Sequence, residues 1–243
     1  MFSAEHPHLT LADIQQGLGV PKSTAHGIAI TLRAAGYLVF EPNTRSYTLG
    51  PRVLDRATVL LSTHDVARVA EPYVRALRDA THENAHLGVE HDGSVVYLIR
   101  AEADASLGIR SDVGKRVPMH CTAMGKALLA SLDDNLVRSF VKERGLRAET
   151  TKTIVDVEQL LADLAATRAR GYAFEMEEYQ LGGACVGASI RGPGGDVAAA
   201  ISVSVPTVRL DDERRGFVIE RVLGAADEIT GALQGRTGMR GRR

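Results

Sequence analysis

The chain has 243 residues, of which 44% are hydrophobic, 24% charged and 5% aromatic, and a formal net charge of −1; a disordered chain is excluded, and a length above ~200 residues points to two domains. The near-neutral balance excludes a basic field over the whole molecule, so any contact with nucleic acid must come from a local surface. No uncharged apolar run reaches the roughly 18 residues of a membrane span, MFSAEHPHLT lacks the regions of a secretory leader, and Cys121 and Cys185 form no C-x-x-C pattern, all of which points to the cytoplasm.

In TLADIQQGLGV, Leu11, Ile14 and Leu18 recur at helical spacing behind a Thr10 N-cap and stop at Gly19. PKSTAHGIAITLRAAG predicts a second helix with Pro21 near its start and Gly36 past its end. Its inward face would be Ala25, Ile28, Leu32 and Ala35, and its outward set Lys22, Ser23, His26, Gly27 and Ile30. Two short helices joined at Gly19 and Val20 match helix-turn-helix geometry, in which the second presents its N-terminal residues to base edges.

YLVFEPNTRSYTLG then predicts a hairpin over 37–40 and 46–49, the wing of a winged helix, with Arg45 at the tip where it can meet phosphate or enter the minor groove. Ser23 and Thr24 can cap the second helix or bind phosphate. Winged helices also serve as protein-docking modules, and charge does not decide between the roles: Lys22, Arg33, Arg45 and Arg52 are balanced by Glu5, Asp13, Glu41 and Asp55.

After Gly50 and Pro51, RVLDRATVLLSTHDVARVAEPYVRALRDATHE carries apolar residues at three- and four-residue steps, softly broken near Thr63-His64 and again at Pro72. This reads as a linker helix followed by the first helix of a second domain. AHLGVEHDGSVVYLIR predicts an antiparallel hairpin around Asp92-Gly93, and further strands are expected at 107–110, 172–175, 185–190 and 197–205, giving a sheet of about six strands. Helices are expected at 124–130, 134–143, 157–169 with an Asp156 cap and a Gly171 stop, and 212–233, so the domain is α+β.

PMHCTAMGKALLA places His120, Cys121, Thr122 and Gly125 just before an apolar helix, whose free amides make an anion-friendly corner. The same residues suit a plain strand-to-helix turn, with Thr122 as the cap and Gly125 and Ala127 small for close packing. Ser202 and Ser204 are two apart in AAAISVSV and so point the same way, while Ile201, Val203 and Val205 point to the opposite face. His120 and Cys121 are adjacent, so on an extended chain they face apart, and no third group completes a catalytic set; no zinc-type ligand spacing is present. Neither an enzyme, a metal nor a cofactor is expected.

LTLADI, GVPKSTAHGIAITLRAAGYL and YTLG resemble the DNA-binding domain of the IclR family of transcriptional regulators; HCTAMGKALLA, RGYAFEMEEYQLGGACVGASI and AAAISVSVP resemble the signature segments of its effector domain. The resemblance implies a winged helix-turn-helix at 1–50, a linker helix at 51–66, a GAF-like effector-binding domain at 67–235 and an unstructured basic tail at 236–243. It implies DNA contacts from Lys22, Ser23, Thr24, His26 and Arg45. It implies a pocket for an organic acid or aromatic catabolite in which backbone amides at Ala123 and Met124 receive a carboxylate, Glu175 faces it, and Cys185, Ser202 and Ser204 line the walls. Operator DNA, a small effector and further copies of the chain, as a dimer or a tetramer, are the implied partners; a membrane is not.

Three departures stand out. The family's opening helix is represented only by residues 1–9, which reads Met1-Phe2-Ser3 as the tail of that helix; Gly27 stands where a basic residue is usual; and Glu175 stands where Asp is common. The first two, with the neutral head, leave open a small-molecule sensor without competent DNA binding.

Overall fold

Thr10 opens the first helix with a reciprocal cap: its hydroxyl accepts from the Asp13 amide, and the Asp13 carboxylate accepts from the Thr10 amide at 2.8 Å. The computed structural model describes residues 1–3, 6–63, 65–103 and 113–240, and these fall into two units, Met1–Thr63 and His64–Arg243.

In the first unit β1 (Leu9–Thr10) leads into α1 (Leu11–Leu18), which ends on a left-handed Gly19, and α2 (Lys22–Ala34) follows. The wing is β2 (Leu38–Glu41) and β3 (Ser46–Leu49); β1, which sequence patterning does not signal, pairs with β3 to complete a three-stranded sheet. Leu9, Ile14, Ala25, Ala29, Leu38 and Tyr47 form the core. The inward face of α2 is only in part the expected one. Ala25 and Ala29 are fully buried, one turn apart, whereas Ile28 and Leu32 are 38% and 37% exposed and Ala35 is exposed. α3 (Arg52–Thr63) closes the unit, its Arg56 Nε donating to the Tyr37 hydroxyl at 3.2 Å.

The second unit begins with α4 (Asp65–Thr81), which runs unbroken through Pro72. Sequence suggested a break there, but Val66, Val69 and Ala70 before the proline and Val74 and Leu77 after it are all buried, and that burial outweighs one lost hydrogen bond. β4 (Asn84–His91) and β5 (Ser94–Ala101) form the expected hairpin, whose Asp92 and Gly93 both have positive φ, 51° and 71°, as a type I′ turn requires. β6 (Arg116–Pro118), α5 (Ala123–Leu129), α6 (Asp134–Arg144), α7 (Val157–Arg170), β7 (Ala173–Met176), β8 (Gly183–Arg191), β9 (Val197–Pro206) and α8 (Asp212–Arg240) follow.

The antiparallel sheet has six strands in the order β6-β5-β4-β9-β8-β7. The strand expected at 107–110 lies outside the described residues, and the edge position belongs to β6, where sequence patterning gave no strand. Buried side chains of β5, β6, α5 and α7, among them Val95, Val117, Leu128, Leu160 and Leu164, make one core, while α4 and α8 pack on each other and on β8 and β4. α8 continues to Arg240, into the stretch read as an unstructured tail. No helix among the described residues is long and apolar enough to cross a membrane.

Candidate functional site

Two surfaces carry chemistry, one in each unit. On the first, Lys22, Ser23, Thr24 and His26 are all exposed in the opening turns of α2. The N-cap position is Pro21, which offers no side-chain acceptor, and the first turn holds no acidic residue. Neither Ser23 nor Thr24 caps the helix, so their hydroxyls and the first amides remain open to an anion. Arg45 is exposed in the β2–β3 turn with φ 51°, the left-handed conformation that reverses the chain at the wing tip.

The second surface is a cavity between the sheet and the start of α5. Ala123, Met124, Glu175, Cys185, Ser202 and Ser204, six residues singled out in sequence, all line it. β9 is the axis of this arrangement: Ser204 stands opposite Asn84 on one side and Cys185 on the other, and Ser202 stands between His86 and Gly187. The Cys185 thiol and Ser204 hydroxyl are 3.2 Å apart.

Close approach of α5 to the sheet depends on two glycines. A Cβ at Gly187 would lie 2.8 Å from the Ala123 carbonyl carbon, and one at Gly125 would lie 2.2 Å from the Met119 oxygen. Thr122 accepts from the Gly125 amide at 3.2 Å and donates to the Pro118 carbonyl at 2.7 Å. The turn is thus a capped strand-to-helix junction, and its Thr122, Ala123 and Met124 are also among the residues that line the cavity.

Sequence reasoning missed His86, Tyr97, Lys115, Tyr179 and Gln180, which share the lining. His86 and Tyr97 stack at 5.0 Å between ring centres, and the Lys115 ammonium lies 5.6 Å from the centre of the Tyr179 ring. The alternation of NAHLG, which sends Asn84 and His86 to one face and Ala85 and Leu87 to the other, was the available signal for His86.

Burial sets the charge state of this cavity. It pushes the Glu175 carboxyl up to about 7, although the Cys185 thiol and the Glu178 amide, donating at 3.0 Å, work in the opposite direction. Burial also lowers His86 to about 3, with Arg100 and Lys115 adding to the effect, so its imidazole is neutral at pH 7. The Cys185 thiol is pushed well above its ordinary range by burial and by Glu175. The free volume inside is about 30 Å³, room for roughly one water molecule.

The adjacent His120 and Cys121 are not assembled for catalysis. Burial raises the Cys121 thiol to about 12, and the His120 Nε2 donates to the Arg147 carbonyl at 2.9 Å. Lys126, fully buried in α5, is held by Glu178 at 2.5 Å and Asp163 at 2.9 Å.

Comparison with known proteins covers both units. The family model for the C-terminal region of the bacterial transcriptional regulator IclR matches residues 58–231, and the IclR helix-turn-helix model matches residues 1–42. The chain is 33% identical over 222 residues to the HTH-type transcriptional regulator BhcR of Paracoccus denitrificans, covering 91% of this chain and 80% of that one. It superposes on the IclR transcriptional regulator of Alicyclobacillus acidocaldarius with a TM-score of 0.86 at 25% identity, covering 96% of this chain and 93% of that one. The same fold recurs, with a TM-score of 0.84 at 24% identity and coverage of 96% and 95%, in an IclR homologue of Microbacterium hydrocarbonoxydans complexed with 4-hydroxybenzoate.

Proposed function

The chain belongs to the IclR family of bacterial transcriptional regulators, which bind DNA in response to a ligand, and from that premise we propose how its own residues divide the work. Lys22, Ser23, Thr24 and His26 meet the operator from the start of α2, and Arg45 contacts phosphate from the wing. The cavity under α5 takes a small organic acid, its carboxylate received by the Ala123 and Met124 amides and its remaining polar atoms by Ser202, Ser204 and Cys185. Glu175, protonated below about pH 7, donates to the ligand rather than repelling it. The observation that supports this assignment is that residues from α5, β7, β8 and β9, chosen by their sequence segments, line one cavity.

Control follows from linkage. A ligand larger than the 30 Å³ cavity stabilises a more open arrangement of the second unit, and α3 carries that preference to the DNA-reading unit. Leu54 and Val59, 71% and 53% exposed on α3, favour pairing with a second copy, which would place two recognition helices on two half-sites. We place the protein in the cytoplasm and read it as a regulator and not an enzyme, as its relative BhcR is a transcriptional regulator; Cys121, its thiol raised by burial, and His120, tied to the Arg147 carbonyl, are not poised as nucleophile and base.

The test is fluorescence anisotropy on the chain's own promoter DNA against scrambled DNA at two salt concentrations, followed by a screen of small organic acids. Ser202→Ala with Ser204→Ala should keep the DNA affinity and lose the response to the acid. A full response in that double variant would overturn the pocket assignment.

A further inference from the structure

A second concavity, of about 320 Å³, opens at the edge of the sheet and shares no lining residue with the first. Its walls are the β4–β5 turn at Gly93 and Ser94, β6 with the following turn to His120, and the end of α6 with the segment beyond it. Three arginines line it, Arg116 from β6 and Arg144 and Arg147 from the end of α6 and the segment beyond it. We infer that this concavity binds a small phosphate-type oxyanion, free or as a phosphate monoester.

One donor is fully open. Arg144 has no hydrogen-bond or ion-pair partner among the described residues. Its Nε would lie 2.9 Å from a Cβ at Gly93, so the guanidinium rests against the hairpin turn because residue 93 has no side chain. Arg116 donates one amino group to the His91 carbonyl at 3.3 Å, and its other is 3.7 Å from Asp92. Arg147 Nε is 3.7 Å from Glu149. Both carboxylate distances exceed hydrogen-bond length, which leaves planar N–H forks of the kind that match an oxyanion. Asp92, Glu149 and Glu90, which accepts from the Gly93 amide at 2.8 Å, balance the three guanidiniums in charge, so the attraction for an anion rests on Arg144, which pairs with none of them. Phe140 adds an apolar wall, and 320 Å³ is in the range of pockets for small organic molecules, which suits the organic part of a monoester.

The location gives the site something to act on. Met119 and His120 form its floor, His120 is tied to the Arg147 carbonyl at 2.9 Å, and the same turn continues into Thr122, Ala123 and Met124 of the first cavity. An anion gripped here braces the segment that presents those amides.

Isothermal titration of the full chain with inorganic phosphate and with glycerol phosphate, at ionic strength matched with chloride, tests the inference. Saturable binding is expected, weakened at least about tenfold by Arg144→Gln and by Arg116→Gln. It should be unchanged by Arg75→Gln, a distant surface arginine, and by Ser202→Ala with Ser204→Ala. Urea midpoints equal to wild type would confirm that the arginine variants fold. Tighter binding of glycerol phosphate would identify a monoester as the ligand class, and equal binding free phosphate. No saturable binding, or equal weakening by Arg75→Gln, would overturn the inference, as would loss of binding in the serine variant alone.

Discussion

The Lys126 ammonium lies 2.5 Å from the Glu178 carboxylate with almost no exposure of either partner to solvent, joining α5 to the loop that carries Tyr179 and Gln180. Thr150 and Thr153 fasten the same loop, donating to the Glu177 and Glu178 carbonyls at 2.6 Å each. Burial still raises the Glu178 carboxyl despite the lysine beside it. Removing one member of such a pair strands the other charge, so Lys126→Ala should cost about 3–5 kcal/mol in urea unfolding. Lys126→Met with Glu178→Leu should recover only part of that loss, because Asp163, 2.9 Å from the ammonium, then keeps only Arg170 at 3.7 Å; a single variant as stable as wild type would show that the pair is not buried in solution.

Glu175 makes stability depend on pH in a particular direction. Its folded pKa, about 7, is above the ordinary 4.5, so between these values the folded state holds a proton that the unfolded state has released. Stability therefore falls as pH rises through that window, by on the order of 3 kcal/mol from this group alone. Glu175→Gln should flatten the decline, as read from denaturation midpoints at pH 5 and pH 7.5. An identical slope in the variant would assign the effect elsewhere.

Gly187 decides how near α5 comes to the sheet. Gly187→Ala would place a methyl group 2.8 Å from the Ala123 carbonyl carbon, backbone that cannot rotate away. The expected cost is about 1–3 kcal/mol, with loss of effector binding because the amides of Ala123 and Met124 move off the cavity. Thermal melts and effector titration of the variant read both effects, and unchanged values for both would refute the argument.

Arg45→Ala should weaken DNA binding about equally on specific and scrambled sequences and reduce the slope of log K against log salt by roughly one. A change confined to the specific sequence would make Arg45 a base reader instead of a phosphate contact.

Signals written locally in the chain were legible. Thr10 and Asp156 cap their helices, Gly19 and Gly171 end them with positive φ, and Asp92-Gly93 turns its hairpin. The alternation that sets Ser202 and Ser204 apart from Ile201 and Val203 also needs only neighbouring residues. What escaped depends on distant pairing. His86 joins the cavity because β4 and β9 meet in one register, and Lys126 can sit inside an apolar helix because Glu178, 52 residues away, and Asp163 neutralise it. The α2 face was misjudged for a related reason: Ile28 and Leu32 have helical spacing, but α1 and the wing contact the adjacent alanine row, a choice made by packing partners and not by the helix itself.

The register of β9 limits how the lining of this cavity could change. Ser202 and Ser204 sit between Asn84 and His86 on one flank and Cys185 and Gly187 on the other, and the intervening residues belong to the opposite face. Inserting or deleting one residue in that strand would exchange the polar row for Ile201, Val203 and Val205, turning the hydroxyls into the core and the branched side chains into the cavity. Divergence at this site must therefore proceed by replacing side chains in place, whereas changes of length can accumulate only in the loops at the strand ends.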